Sequence, residues 1–144
     1  MKILFDTSVL VAGIIEQHPM HAAAFPWLKR AQAQEFEMFV AGHTLAELYA
    51  VLTTLPVSPK ITPDMARRLI HDNIETTAKT VSLSASDYIS VIKQTAELGL
   101  SGGIIYDAIA AKAAQKSGVD RLLTFNTDDF KRVWPEGIGH IARP

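Results

Sequence analysis

Asp107 stands alone in the otherwise apolar run GGIIYDAIAAKAA, and its type and setting raise a chemical question. On a helix turning about 100° per residue from Ile104 to Lys116, the polar residues Lys112, Gln115 and Lys116 share one flank, and Asp107 projects more than ~100° from it. The carboxylate therefore leans toward the apolar side. An ionised acid left unpaired there costs several kcal/mol, so it must be protonated, paired with a cation, or engaged with a metal. Three other segments offer acids: Asp6 directly after KILF, Glu47 in HTLAELYAVL, and Asp128 with Asp129 in NTDDF. Carboxylates gathered within a few ångströms repel, and the usual resolutions are a shared proton or a hard divalent cation. An all-oxygen set suits magnesium or manganese.

Each acid also has a purely structural reading. Asp6 fits an N-cap for TSVLVAG. Thr44-Leu45-Ala46-Glu47 fits a capping box, with Glu47 reaching back to the backbone of Thr44. Asp128 and Asp129 fit turn formers or first-turn helix charges. Asp107 resists such a reading best, because the helix dipole returns only ~0.3 to 1 kcal/mol in the first turn, too little to offset burial of a charge. Thr7 and Ser8 beside Asp6, and Thr124 and Asn126 beside the later acids, are able to hold a water or a phosphate oxygen, and they equally suit caps and strand ends. His18 and His21 lack the HExxH spacing and are expected at the surface beside Pro19. His43, His71 and His140 are isolated and receive no role. Tyr88, Tyr106, Trp27 and Trp134 are expected in the core or an interface rather than as base-stacking platforms.

The elements that must position these acids follow from the hydrophobic pattern. KILF reads as a buried strand, TSVLVAGIIE as a helix, and a second helix starts around His18 and Pro19 and runs through AAAFPWLKRAQAQ, with an irregularity at Pro26. FEMFVA is strand-like, and Leu45, Leu48, Tyr49, Leu52 and Leu55 fall at helical spacing in HTLAELYAVLTTL. PVSPKITP is a loop. The pattern then predicts a helix over Asp64 to Asn73, a strand over Lys79 to Leu83, a helix over Ala85 to Leu98 ended by Gly99, the Asp107 helix, the strand RLLTF, a short helix around Lys131, and a last strand in GIGHIA. This alternation predicts one α/β domain over residues 1–144: three layers, with a mainly parallel sheet flanked by helices. Sites in such sheets collect at the carboxyl ends of strands, where Asp6, the NTDD group and Glu47 would all fall.

Composition narrows the class further. The chain has 144 residues and no cysteine, which excludes disulfides, thiolate zinc sites and thiol catalysis and agrees with a reducing cytoplasm. Asp6 interrupts the apolar N-terminal stretch and no small-residue cleavage site follows, so neither a signal peptide nor a membrane span is expected. Fourteen Lys and Arg against fifteen Asp and Glu give a net charge of -1. A polyanion would have to be met locally, by pairs such as Lys29 with Arg30, Arg67 with Arg68, or Lys131 with Arg132.

Taken in order, FDTSVLVAG, AELYAVL, IYDAIAAKAA and LLTFNTDDF resemble the PIN domain family, specifically the small VapC-type toxin ribonucleases of bacterial toxin–antitoxin pairs. The resemblance implies a PIN-like fold, a homodimer, an RNA substrate, a magnesium site and a cognate antitoxin that blocks it. Carried over motif by motif, the site residues are Asp6, Glu47, Asp107 and a fourth position at Asn126, Asp128 or Asp129, of which Asp129 is favoured with Asn126 as a polar neighbour. Asp6 and Asp107 would hold the magnesium (or manganese), and Glu47 and Asp129 would position or deprotonate the attacking water. The helices carrying Leu48, Leu52, Leu55 and Ile61 offer either an apolar surface for a partner or plain core.

Rival classes ask for residues that this chain lacks. A receiver-like regulatory module wants an acidic pair near the first strand, which supplies only Asp6. A phosphatase starting from that Asp carries a second acid two residues on, where Ser8 stands, and a dinucleotide enzyme wants GxGxxG. A catalytically silent PIN-like scaffold is the remaining alternative.

Overall fold

A computed structural model describes all 144 residues. The first, second and fourth strands each open on one charged, exposed residue (Lys2, Glu37, Arg121) and are then continuously apolar rather than alternating, and a sheet covered on both faces meets that pattern. β1 (Lys2–Phe5) pairs in parallel with β2 (Glu37–Ala41) on one side and with β4 (Arg121–Leu123) on the other. β3 (Lys79–Val81) and β5 (Ile141–Ala142) close the edges, giving an all-parallel sheet in the order β3-β2-β1-β4-β5.

Alternate residues of each strand serve opposite cores. Ile3, Phe5, Met38, Val40 and Leu123 pack with α1 (Thr7–Ile14), α2 (His21–Gln32), α3 (Gly42–Thr54) and α4 (Pro63–Ile70). Leu4, Phe39, Ala41 and Leu122 pack with α5 (Ala85–Glu97), α6 (Ile104–Ser117) and α7 (Thr127–Val133). Three layers result, as predicted. Small residues let α6 lie close on the sheet, with Ala108, Ala110, Ala111, Ala113 and Ala114 all buried. Gly118 ends that helix in the left-handed region, at φ 63°, where a side chain would be strained. The salt bridge from Lys116 to Asp87, 2.8 Å, ties the end of α6 to the start of α5. No helix is long and apolar enough to cross a membrane.

Several boundaries move from their predicted places, each for a local reason. α2 begins at His21 rather than His18, because His18 closes a turn by accepting the Met20 N–H on Nδ1 at 3.0 Å, and Pro19 lies within that turn. Pro26, which has no N–H to donate, is accommodated inside α2. α3 begins at Gly42, so Glu47 lies in its second turn and the Thr44–Glu47 capping box does not form. α4 runs on into a wider turn, His71–Glu75. β3 stops at Val81 because its partner β2 ends at Ala41, where α3 starts. GIGHIA contributes only Ile141 and Ala142 to the sheet. Its first part belongs to a tight turn over Trp134, where a Cβ on Gly137 would lie 2.0 Å from the indole. Leu48, Leu52 and Ile61 are core, and Leu55 packs against them.

The strand order creates the site. From β1 the chain moves outward to β2 and β3, then crosses back to place β4 on the other side of β1. Connections diverging on either side of β1 leave a crevice above its carboxyl end. Asp6 is the residue there.

Candidate active site

Asp6 follows β1 directly and is 6 % exposed, the most deeply buried acid of the chain. Its backbone N–H continues the ladder by donating to the Leu123 carbonyl at 3.0 Å. Its carboxylate caps no helix. Instead Ser8 Oγ and Thr124 Oγ1 both donate to Oδ2, at 2.7 and 2.8 Å. Each hydroxyl is itself fixed from behind, Ser8 Oγ by the Phe125 N–H at 3.1 Å and Thr124 Oγ1 by the Asn126 N–H at 2.9 Å. Burial pushes the Asp6 carboxyl above its ordinary range, and the hydroxyls of Ser8 and Thr124 together with the backbone of Thr7 and Ser8 pull against that rise.

Asp6, Thr7, Ser8, Glu47, Asp107 and Asn126 line one open cleft of about 410 Å³, with His18, Val11, Val51, Leu55 and Phe125 among its walls. Glu47 projects into it from α3. Burial raises its carboxyl and the charge of Asp6 adds to that, opposed by His43 and by a hydrogen bond from the Thr7 hydroxyl. Asp107, half-buried in the first turns of α6, is pushed up to about 7, first by burial and then by Asp6, Asp129 and Glu47 in that order. Asp6, Glu47 and Asp107 share this cleft, and Asp129, which does not line it, adds to the charge that raises Asp107. Asp129, three residues beyond Asn126 on α7, sits close enough to act on Asp107, and its carboxylate also meets Arg132 Nη1 at 3.4 Å. Asp128 is exposed, does not line the cleft, and is not among the charges that raise Asp107.

The donor set fits a hard divalent cation. It offers carboxylate, hydroxyl and amide oxygens, and the mutual repulsion that raises Asp107 is relieved when a cation shares the space. No three acidic or imidazole side chains are gathered tightly enough to grip an ion by themselves. Asp6 and Asp107, which line the same cleft, are the residues that could hold such a cation.

Three side chains near the acids escaped sequence reasoning. His18 lines the cleft instead of lying on open surface. His43 stands one helical turn before Glu47, and its ring stacks on that of Tyr106 with centroids 4.9 Å apart and planes within 6°. Tyr106 is 49 % exposed, so it is not core. The signal that could have found His43 is its four-residue spacing from Glu47, which puts both on one face of α3. Of the other aromatics, Trp134 is buried and Tyr88 is partly exposed. His21 is occupied structurally, with Nδ1 2.8 Å from the Ala12 carbonyl.

Comparison with known proteins bears on the family and the fold. The family model of the PIN domain matches residues 3–134. Ribonuclease VapC27 of Mycobacterium tuberculosis is 35 % identical over 109 residues, covering 76 % of this chain and 74 % of that protein. Among solved structures, Mycobacterium tuberculosis VapC20, described as a Sarcin-Ricin loop cleaving toxin, superposes with a TM-score of 0.69 at 17 % identity, covering 88 % of this chain and 92 % of the other. VapBC2 from Rickettsia felis, solved bound to a DNA fragment from its promoter, gives a TM-score of 0.67 at 19 % identity, over 99 % and 98 % of the two chains. At those identities the two structures speak for the fold.

Proposed function

The chain belongs to the PIN domain family, in its VapC-type branch, and from that premise we propose that it is a magnesium- or manganese-dependent endoribonuclease, the toxin of a type II toxin–antitoxin pair. The observation that carries the proposal is the convergence of Asp6, Glu47 and Asp107, from three separate elements, on one cleft. A divalent cation held by Asp6 and Asp107 would supply Lewis acidity toward a phosphoryl oxygen and the means to ionise a water near neutral pH. Ser8 and Thr124 hold the Asp6 carboxylate in one orientation, so that its position is set before substrate arrives. Glu47, half-buried and raised above its ordinary range, is matched to taking a proton from the attacking water. Asp129 orients that water from the α7 side, and the Asn126 amide, with no capping bond to satisfy, is free to donate to a phosphate oxygen. The cation also offsets the acids that would otherwise repel an RNA backbone, which a chain of net charge -1 needs.

The reading includes a homodimer in the cytoplasm and a cognate antitoxin that covers the acidic cleft. Support for the antitoxin partner comes from the likeness to VapBC2 and from the VapC ribonuclease relative. The test is cleavage of RNA by the purified protein with magnesium, with manganese and with EDTA, beside Asp6→Asn and Asp107→Asn. Cleavage by the wild type with either ion, lost in EDTA and in both variants, is the expected result. Equal cleavage by all preparations would mark a contaminant, and no cleavage by the wild type would sink the proposal.

A further inference from the structure

Tyr106 immediately precedes Asp107 on α6, and His43 lies one turn before Glu47 on α3, so their stack joins the two helices that bring these acids to the cleft. They stack in parallel at 4.9 Å, yet nearly half of Tyr106 stays in solvent. An aromatic ring held rigid by a second ring and left uncovered loses little freedom when a third flat group is laid on it. A pocket of about 190 Å³ continues from His43 along Leu83, Tyr88 and Ile109, so the apolar surface extends away from the acids. A chain without basic excess gains little from general attraction to phosphates and must hold a single strand by other contacts. Stacking on aromatic rings is the contact that single-stranded RNA bases offer.

We infer that the His43–Tyr106 stack is a nucleobase platform that seats a base next to the scissile phosphate, so that the phosphodiester lies over Asp6 and Asp107. This rests on the ribonuclease reading and adds to it a positioning surface selective for unpaired bases. Tyr106 receives the base, and His43 backs the tyrosine ring and fixes its tilt. Duplex RNA, whose bases are already stacked on one another, gains nothing from such a surface and is a poor substrate.

The test begins with a pool of short single-stranded RNAs of randomised sequence, from which one oligonucleotide cut by the wild type is taken. Versions carrying a single abasic site on either side of the cut are then compared on the wild type, Tyr106→Ala, Tyr106→Leu and Tyr106→Trp. Tyr106→Ala is expected to raise KM about tenfold, with kcat within about twofold, the loss of one base–aromatic stack. The abasic site at the seated position costs the wild type a similar factor and costs Tyr106→Ala almost nothing, because base and ring are two halves of one contact. Tyr106→Trp restores the wild-type KM and Tyr106→Leu, which keeps bulk without a ring, does not. An abasic penalty equally large on the wild type and on Tyr106→Ala overturns the inference while leaving the ribonuclease reading intact. A pool in which no RNA is cut removes that reading, and the platform with it.

Discussion

Replacing Asp107 by asparagine should stabilise the metal-free protein, and only above acidic pH. The folded chain raises the Asp107 carboxyl from 3.8 to about 7. Between those values the folded protein therefore keeps a proton that the unfolded chain has released. Stability from this group is present below about pH 4, declines as pH rises through the window, and is lost above about 7. At ~1.4 kcal/mol per pKa unit a fully dry site would lose about 4 kcal/mol, but the carboxylate is partly solvated, which reduces the expected loss to about 1–2 kcal/mol. The amide of the variant does not titrate in this range, so Asp107→Asn should match the wild type near pH 4 and exceed its melting temperature by about 3–6 °C near pH 8. Thermal unfolding followed by circular dichroism in EDTA, from pH 4 to 8.5, measures the difference directly. Parallel profiles for the two proteins, or a variant less stable at pH 8, would refute the claim that Asp107 sits in a repulsive acidic cluster.

Magnesium should reverse that order: added at pH 8 it should raise the melting temperature of the wild type more than that of Asp107→Asn, as expected when a ligand binds only the folded state, and calorimetric titration with the metal should show weakened binding by the variant. Thr124→Val removes one of the two hydroxyl donors to Asp6, so the Asp6 carboxyl should rise further and the acid limb of the RNA cleavage profile should move to higher pH, at a cost of about 1.5–3 kcal/mol in urea unfolding. Leu48→Ala, at a position with no exposed surface between α3 and the sheet, should lose about 2–4 kcal/mol in the same assay while cleavage below its new transition stays near the wild-type rate.

Asp6 and the NTDD group could be placed at one edge because the strands before them are apolar without alternation after their first residue, and a parallel sheet fixes which end of each strand faces the loops. Asp107 was legible from its company, since a lone acid among alanines and isoleucines has few bland explanations. Glu47 was harder, because Thr44 and Glu47 carry a capping signature that became void once Gly42 and His43 joined the helix ahead of them. The choice among Asn126, Asp128 and Asp129 could not be made from spacing alone. With α7 starting at Thr127, Asn126 lines the cleft, Asp129 is near enough to raise Asp107, and Asp128 is left in solvent. The stack of His43 on Tyr106 joins residues more than sixty positions apart, and nothing local to either announces the other.

The hydroxyl of Thr124 reaches Asp6 across 118 positions of sequence, and that distance has a consequence during synthesis. A chain emerging from a ribosome delivers Asp6 together with Ser8, but the Thr124 hydroxyl, and the acid that faces Asp6 from α6, follow only much later. Until β4 has slotted in beside β1, the first carboxylate has the Ser8 hydroxyl but not the Thr124 one. A partly made chain thus carries no assembled acidic cleft, and whatever reaction that cleft performs is withheld from the translating cell until the sheet is complete.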